Sequence, residues 1–427
     1  MDELKQSRYN YRFQVGDQWI YFNGVTKKMI PIPHFLHDLV ESYLETPEKC
    51  KQESPTFLAS MLDAGLLIKA GQDELEVIRE QYSELRNEAS YQLMLTLDGG
   101  FVGSLHPGDV LEQHSVMESL KVHLERYIHD HAIKQLRLEW IEKSTHATND
   151  EVMKTFSSFA DQLCKREKIH LSLHLTLPNA LFEEDRLIKL FNGLPLQSIR
   201  MALSIEPQWV ERQRDALIRH LRVVMDRFPS LLFVFFVQET AYDAFLSSLL
   251  SGLNAMIPIS ERQRITFFVH DDEWQHLHNQ ETRGKMLFAL NRDGYNLQWN
   301  GVLPSLCMAE KRHAFVMNGF GDAAKCLATL DSSVHGYLSS HGNVFWDETT
   351  VRAENEIPFF ENIRCLSCKH LPVCMGQCIS AERTTEVDVD DQMECLLPPW
   401  YISPEQIIEL YCKQRLDRYL NEGNVHE

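Results

Sequence analysis

Hydrophobic and polar positions follow one pattern over the first eighty-odd residues and another from Gln92 to Val269. In the first stretch, Trp19-Ile20-Tyr21-Phe22 runs into Asn23-Gly24 and then Val25, which predicts a strand entering a type I′ hairpin. Phe35, Leu36, Leu39, Val40 and Tyr43 share one helical face. A second short helix is expected from Pro55 to Ala64, with Gly65 in the left-handed position after its last turn, and Leu66-Leu67-Ile68 returns as a strand. A hairpin with short helices is a winged-helix-like α+β arrangement. Asp73 to Asn87 then reads as a charged connecting helix with Leu75, Ile78, Tyr82 and Leu85 on its apolar side.

The second pattern alternates strands with helices. Strands are expected at Gln92–Leu97, Gln135–Ile141, Ile169–Leu175, Ser198–Ser204, Leu231–Val237 and Ile265–Val269. Helices fall between them at Glu112–Asp130, Thr148–Lys165, Glu183–Phe191, Val210–Arg227 and Tyr242–Leu253. Six β/α units of this kind imply a parallel sheet, either curled as a barrel or open, with its chemistry at the C-terminal strand ends. After Leu303 the alternation stops and the chain reads as loop-rich and cysteine-rich. A last helix begins at Ser403-Pro404, where Ser403 and Gln406 are placed as a capping box.

The 427 residues are 44% hydrophobic and 24% charged, which fits a globular protein and excludes a disordered or collagen-like chain. With 42 basic against 61 acidic residues the formal net charge is −19, a field that repels phosphate backbones and argues against nucleic-acid binding. The longest apolar run, Leu231 to Val237, is far short of a membrane span, and Met1-Asp2-Glu3-Leu4-Lys5-Gln6 has no signal-like apolar stretch, so a cytoplasmic location is expected.

Cysteine use changes the picture. Seven of the ten cysteines lie between Cys307 and Cys395, whereas Cys50, Cys164 and Cys412 are scattered and read as packed thiols. The cluster runs Cys307-x13-Gly321-x4-Cys326, then Cys365-x2-Cys368-x5-Cys374-x3-Cys378, then x16 to Cys395. Clustered thiols in a reducing compartment point to metal ligation rather than disulfides, with zinc and iron–sulfur clusters as the soft-ligand choices. One four-coordinate site leaves three of the seven thiolates over; two clusters would use four and three.

The string Cys365-Leu-Ser-Cys368-Lys-His-Leu-Pro-Val-Cys374-Met-Gly-Gln-Cys378, with its upstream C-x13-G-x4-C and downstream Cys395, resembles the SPASM domain of radical SAM peptide-modifying enzymes. The resemblance implies two auxiliary 4Fe-4S clusters. Cys365, Cys368, Cys374 and Cys395 would hold the outer one, and Cys307, Cys326 and Cys378 would give three ligands to the inner one. The fourth inner position would be an open iron or borrow a ligand such as His313. The resemblance extends back over nearly the whole chain. It implies a partial (β/α)6 TIM-type barrel over residues 89–303, a winged-helix-like peptide-recognition unit with its linker helix over 1–88, and the SPASM domain with the last helix over 304–427.

Where relatives carry the C-x3-C-x2-C motif of the cluster that cleaves S-adenosylmethionine (SAM), this chain has Gly99, Gly103 and His106, so all three ligands are gone. The W-x-G-G-E-type loop after the second strand, which holds the SAM amino group in relatives, reads Trp140-Ile141-Glu142-Lys143-Ser144. Glu142 and Lys143 are therefore expected to crowd the amine's place. The T-N-G motif after the third strand reads Thr176-Leu177-Pro178-Asn179.

The expectation is a non-catalytic pseudo-radical SAM protein with no SAM and no catalytic residues of its own. It would bind a precursor or leader peptide, or a catalytically active radical SAM partner, in ribosomal peptide or protein maturation. The alternatives are an enzyme using the open iron of the inner cluster, and an electron-transfer module. No Ser-His-Asp set, phosphate loop or paired-carboxylate signature supports a hydrolase.

Overall fold

The structure is a computed structural model that describes residues 3–97, 115–142, 149–176, 184–192, 194, 200–205, 207–229, 231–238, 248–270, 280–297, 306–330, 336–347, 358, 360–375 and 403–423. The N-terminal unit comprises β1 (Leu4–Gln6), β2 (Asn10–Val15), β3 (Gln18–Asn23), β4 (Met29–Pro33), α1 (His37–Glu45), α2 (Pro47–Glu53), α3 (Pro55–Asp63) and β5 (Leu67–Lys69). Strands β2, β3 and β4 form an antiparallel meander, and β1 pairs antiparallel with β5.

The tight turn is not at Asn23-Gly24. It lies one loop earlier, where Val15 pairs with Gln18 and Gly16 takes a positive φ of 61°. Asn23 is instead a buried hub. Its amide nitrogen donates to Ser7 Oγ, Asn10 Oδ1 and the Gly65 carbonyl, and its oxygen accepts from the N–H groups of Val25 and Thr26. These tertiary bonds hold the connection between β3 and β4 as a wider hairpin loop over residues 24–28 in place of a two-residue type I′ turn. The apolar face of α1 is also shifted: Val40, Tyr43 and Leu44 are buried, but Phe35 is 83% exposed because it precedes the helix. Gly65 does close α3 with φ +74°.

A linker helix α4 (Glu74–Arg86), capped by Asp73 on the Leu75 N–H at 2.9 Å, leads into a parallel α/β array. Its order is β6 (Ser90–Thr96), α5 (Val116–Asp130), β7 (Gln135–Ile141), α6 (Asn149–Glu167), β8 (His170–Thr176), α7 (Glu184–Phe191), β9 (Arg200–Ile205), α8 (Pro207–Arg227), β10 (Leu232–Gln238), α9 (Leu250–Met256), α10 (Ile259–Arg262), β11 (Ile265–His270), α11 (Gln280–Arg292) and β12 (Asn296–Leu297). The ladders β6-β7-β8 and β9-β10-β11-β12 are all parallel. Leu93, Leu95, Leu138, Trp140, Leu173 and Leu175 alternate onto one face and pack with α5 and α6 in the largest core. The chain thus has a mixed α/β fold built on parallel strands.

The region after Leu303 contains more regular structure than its sequence suggests. Strand β13 (Ala314–Met317) joins the free edge of β6 in parallel, and β14 (Asp322–Ala324), β15 (Gly336–Leu338) and β16 (Val344–Trp346) extend that sheet antiparallel. Three short helical turns interrupt or follow these strands: α12 (Leu327–Leu330), α13 (Ile363–Ser367) and α14 (Leu371–Cys374); a long last helix, α15 (Pro404–Gly423), comes after them. Helix α15 starts with the expected box: Gln406 N–H donates to Ser403 Oγ at 3.3 Å, and Ser403 N–H donates to Gln406 Oε1 at 3.2 Å.

The two ends of the chain share cores. Tyr11, Ile20 and Phe22 pack with Val373, Ile408, Tyr411 and Leu416, while Tyr9, Val25, Ile78 and Tyr82 pack with Phe360, Leu371 and Met375. Among the described residues, no helix is long and apolar enough to cross a membrane.

Candidate functional site at the strand ends and the cysteine segment

At their C-terminal ends the first three parallel strands run, in sequence, into the segments expected to correspond to SAM-binding motifs. Leu97 is the last described residue after β6, and Gly99, Gly103 and His106 lie outside the described residues. Near the end of β7, Trp140 is fully buried on the helix side, its indole N–H donating to Ser157 Oγ at 2.9 Å. It is a core residue. Glu142, two positions on, has a side chain with no solvent exposure and faces the same way.

There the Arg186 guanidinium of α7 bonds both Glu142 oxygens, at 2.9 and 3.1 Å, and reaches Asp150 at the start of α6 at 2.6 Å. Hydrogen bonds donated to Asp150 first, and to Glu142 after it, hold the guanidinium above its already high range. Glu142 therefore does not crowd the strand ends as expected: it is turned back between helices, and a buried cation neutralises it. Lys143 and Ser144 lie outside the described residues.

The face of β6–β8 opposite the helices is largely polar, with Met94 and Ile141 as its apolar members. Gln92 and Thr96, Arg137 and Glu139, and Ser172, His174 and Thr176 share it by strand alternation, and the register sets Glu139 beside His174. Arg137 Nη2 donates to Glu139 Oε2 at 3.1 Å, Ser172 Oγ lies 2.7 Å from His174 Nε2, and Thr176 Oγ1 donates weakly to Glu139 at 3.5 Å. Thr96 Oγ1 and Arg137 Nε are buried and have no hydrogen-bond partner among the described residues. Such atoms are costly unless something polar completes them. Sequence reasoning did not single out this set. Its signal was present: His170-Leu-Ser-Leu-His-Leu-Thr176 alternates, whereas a parallel strand covered on both faces reads as continuously apolar.

The cysteine segment is clamped to the N-terminal unit. Tyr11 OH donates to the Lys369 carbonyl at 2.9 Å and lies 3.0 Å from His370 Nδ1. Arg8 donates to the Leu366 carbonyl at 2.8 Å, Lys27 to that of Pro372, and Arg79 binds Glu361 through two nitrogens at 2.6 and 3.1 Å. Burial pushes the Lys27 ammonium down to about 7. His370 Nε2 lies 3.0 Å from Glu405 of α15.

Cys365, Cys368 and Cys374 are each partly exposed on α13, α14 and the turn between them, and the His370 N–H donates to Cys368 Sγ at 3.3 Å. Three accessible thiols on one short segment, with a backbone N–H already on one sulfur, suit a thiophilic metal or an iron–sulfur cluster. Cys307 is exposed before β13 and Cys326 half-buried after β14, while Cys378 and Cys395 lie outside the described residues. Among the described residues no three His, Cys, Asp or Glu side chains converge as a metal set. His313 is buried with Nδ1 3.0 Å from Tyr127 OH. The scattered thiols are core groups: Cys50, Cys164 and Cys412 are buried, and burial pushes the Cys164 thiol up to about 12.

No protein-family model matches the chain, and no curated protein does. Among solved structures it is similar to SuiB of Streptococcus suis bound to S-adenosylmethionine, at 13% identity over 94% of this chain and 98% of that one, TM-score 0.44. It is also similar to SuiB bound to precursor peptide SuiA, at 12% identity over 95% and 100%, TM-score 0.44. A third is native anSMEcpe with bound AdoMet and Cp18Cys peptide, at 12% identity over 79% and 100%, TM-score 0.48.

Proposed function

We propose that this chain is a non-catalytic pseudo-radical SAM/SPASM protein that serves as a peptide-binding or partner subunit in peptide or protein maturation. One observation carries the reading: all seven cysteines of the SPASM-like string are kept, while the three positions of the SAM-cluster motif hold Gly99, Gly103 and His106. Neither glycine offers a ligand, and one imidazole cannot hold a four-iron cluster. In this reading the parallel array is the partial (β/α)6 barrel and residues 1–88 are the winged-helix-like recognition unit. The outer cluster sits on Cys365, Cys368, Cys374 and Cys395, and the inner on Cys307, Cys326 and Cys378. When bound, such clusters supply electrons or a Lewis-acidic iron.

The protein's own residues bind and position. Strand β4, followed by the exposed Phe35, has no second neighbour among the described residues; Pro31 and Pro33 offer no N–H there, so a peptide would dock on this edge through the β4 carbonyls and Phe35 rather than through a full strand ladder. The polar face of Gln92, Glu139 and His174 offers donors and acceptors to a peptide segment reaching the strand ends. Tyr11, Lys27 and Arg79 fix the cysteine segment against the recognition unit, so that peptide and clusters share one frame.

The test is SAM turnover under strong reductant. The reading expects no 5′-deoxyadenosine and no SAM binding tighter than millimolar, and the Gly99→Cys/Gly103→Cys/His106→Cys variant should not restore cleavage, because the loop after β7 stays wrong. Activity that appears only when a second radical SAM chain is added supports the partner role. Turnover by the unmodified chain alone overturns it.

A further inference from the structure

A cleft of about 230 Å³ opens on the flank of the parallel array, between the C-terminal half of α5 and the strands β13 and β16. It lies beside the N-terminal half of β6, where Tyr91 stacks on Tyr127 at 4.4 Å, and so at the opposite end from the strand ends described above. Tyr127, Phe315 and Trp346 give it aromatic walls, with Phe315 and Trp346 edge-to-face at 5.6 Å.

Its charge is one-sided. Arg126 of α5, Arg312 in the turn before β13 and Lys325 just after β14 line it, and Asp130 is the sole acidic side chain among its described lining residues. Among the described residues these cations are not paired with carboxylates. Arg126 is steadied by neutral groups, the Asn343 side-chain oxygen and the His341 carbonyl at 3.1 Å. Lys325 Nζ is held by the carbonyls of Lys311 and Ala314, both at 3.0 Å. Asp130 pairs outward with His129 at 3.2 Å, a contact in which both side chains are more than half exposed. In a chain of net charge −19, a cleft where three cations converge against a single carboxylate is the reverse of what composition alone produces.

We propose that this cleft binds a small planar organic anion, a carboxylate or phosphate carried on an aromatic or heteroaromatic body. The rings take the flat body by stacking and edge contacts, and the arginines take the anionic end in the paired geometry that a guanidinium offers to two oxygens. The proposal stands apart from the cluster reading, because none of the cleft's lining residues is a cysteine.

The experiment is calorimetric titration of the full chain with benzoate and phenyl phosphate, with benzamide as the neutral isostere of benzoate. Saturable binding of either anion is expected, with benzamide weaker by about tenfold or more. The two anions distinguish a carboxylate from a phosphate ligand. Arg312→Ala, at an exposed position, should weaken the preferred anion by about tenfold. Asp130→Asn should tighten it. Equal binding of benzamide, no saturable binding of either anion, or no response to Arg312→Ala and Asp130→Asn overturns the proposal.

Discussion

Replacing Arg186 by Met removes the cation that, among the described residues, holds Glu142 and Asp150 together between α6 and α7. The Glu142 side chain has no exposure and those of Arg186 and Asp150 only 13% and 19%, so water cannot take over the lost bonds without opening the helix layer. Breaking a buried pair by deleting one partner costs about 3–5 kcal/mol, because the remaining charge is stranded. Here two carboxylates are stranded side by side, which places Arg186→Met at the upper end. Glu142→Gln should cost only about 1–2 kcal/mol, since Arg186 keeps its two-nitrogen grip on Asp150. In the double variant the combined loss should be smaller than the sum, because the neutral amide that replaces the Glu142 carboxylate leaves no charge stranded there. Urea unfolding followed by circular dichroism gives the free energies, and hydrogen exchange of the β7 amides localises the loss. A cost for Arg186→Met below about 1 kcal/mol, or equal to that of Glu142→Gln, would refute the reasoning.

Asn23→Ala should destabilise the N-terminal unit by about 3 kcal/mol, because it strands the Gly65 carbonyl and two backbone N–H groups; a change below about 1 kcal/mol in urea unfolding would contradict the hub. Burial lowers the His123 imidazole from 6.5 to about 4, so the unfolded chain takes up that proton first. Stability contributed by the neutral ring is therefore complete above about pH 6.5 and lost as pH falls towards 4, a total of roughly 3 kcal/mol. His123→Gln should flatten that part of the stability–pH curve, and an unchanged slope would exclude His123 as its source. Cys368→Ala should remove about half of the bound iron, whereas Cys50→Ser, at a buried thiol in α2, should leave it unchanged.

The parallel array was legible because β10 and β11 are compact apolar runs, β7 and β8 place an apolar residue at every second position, and the helices between them carry periodic faces. Expected and observed strand ends differ by only a residue or two at Ser90–Thr96, Gln135–Ile141 and His170–Thr176. The strands β13 to β16 were not legible, since segments as short as Asp322–Ala324 carry no periodicity and exist by pairing with a sheet edge formed far away in sequence. Phe35 and Asn23 were misplaced for the opposite reason: local rules were strong, but a helix starting two residues late and a web of tertiary bonds overrode them. Of the candidate site, the cysteine spacing could be read directly, because thiol ligation is written in residue type. The ion triad around Arg186 and the polar face of β6–β8 could not be read that way. Both join side chains from different β/α units, and only the register and the helix packing bring these together.

The most direct test of the cluster-bearing, SAM-inactive account is a count of iron and acid-labile sulfide in the anaerobically prepared full chain. Two auxiliary clusters and no third predict about eight irons and eight sulfides per chain, with a brown protein. About twelve of each would mean that a SAM-cleaving cluster is present despite Gly99, Gly103 and His106, and stoichiometric zinc without sulfide would mean that the SPASM reading of Cys307 to Cys395 is wrong.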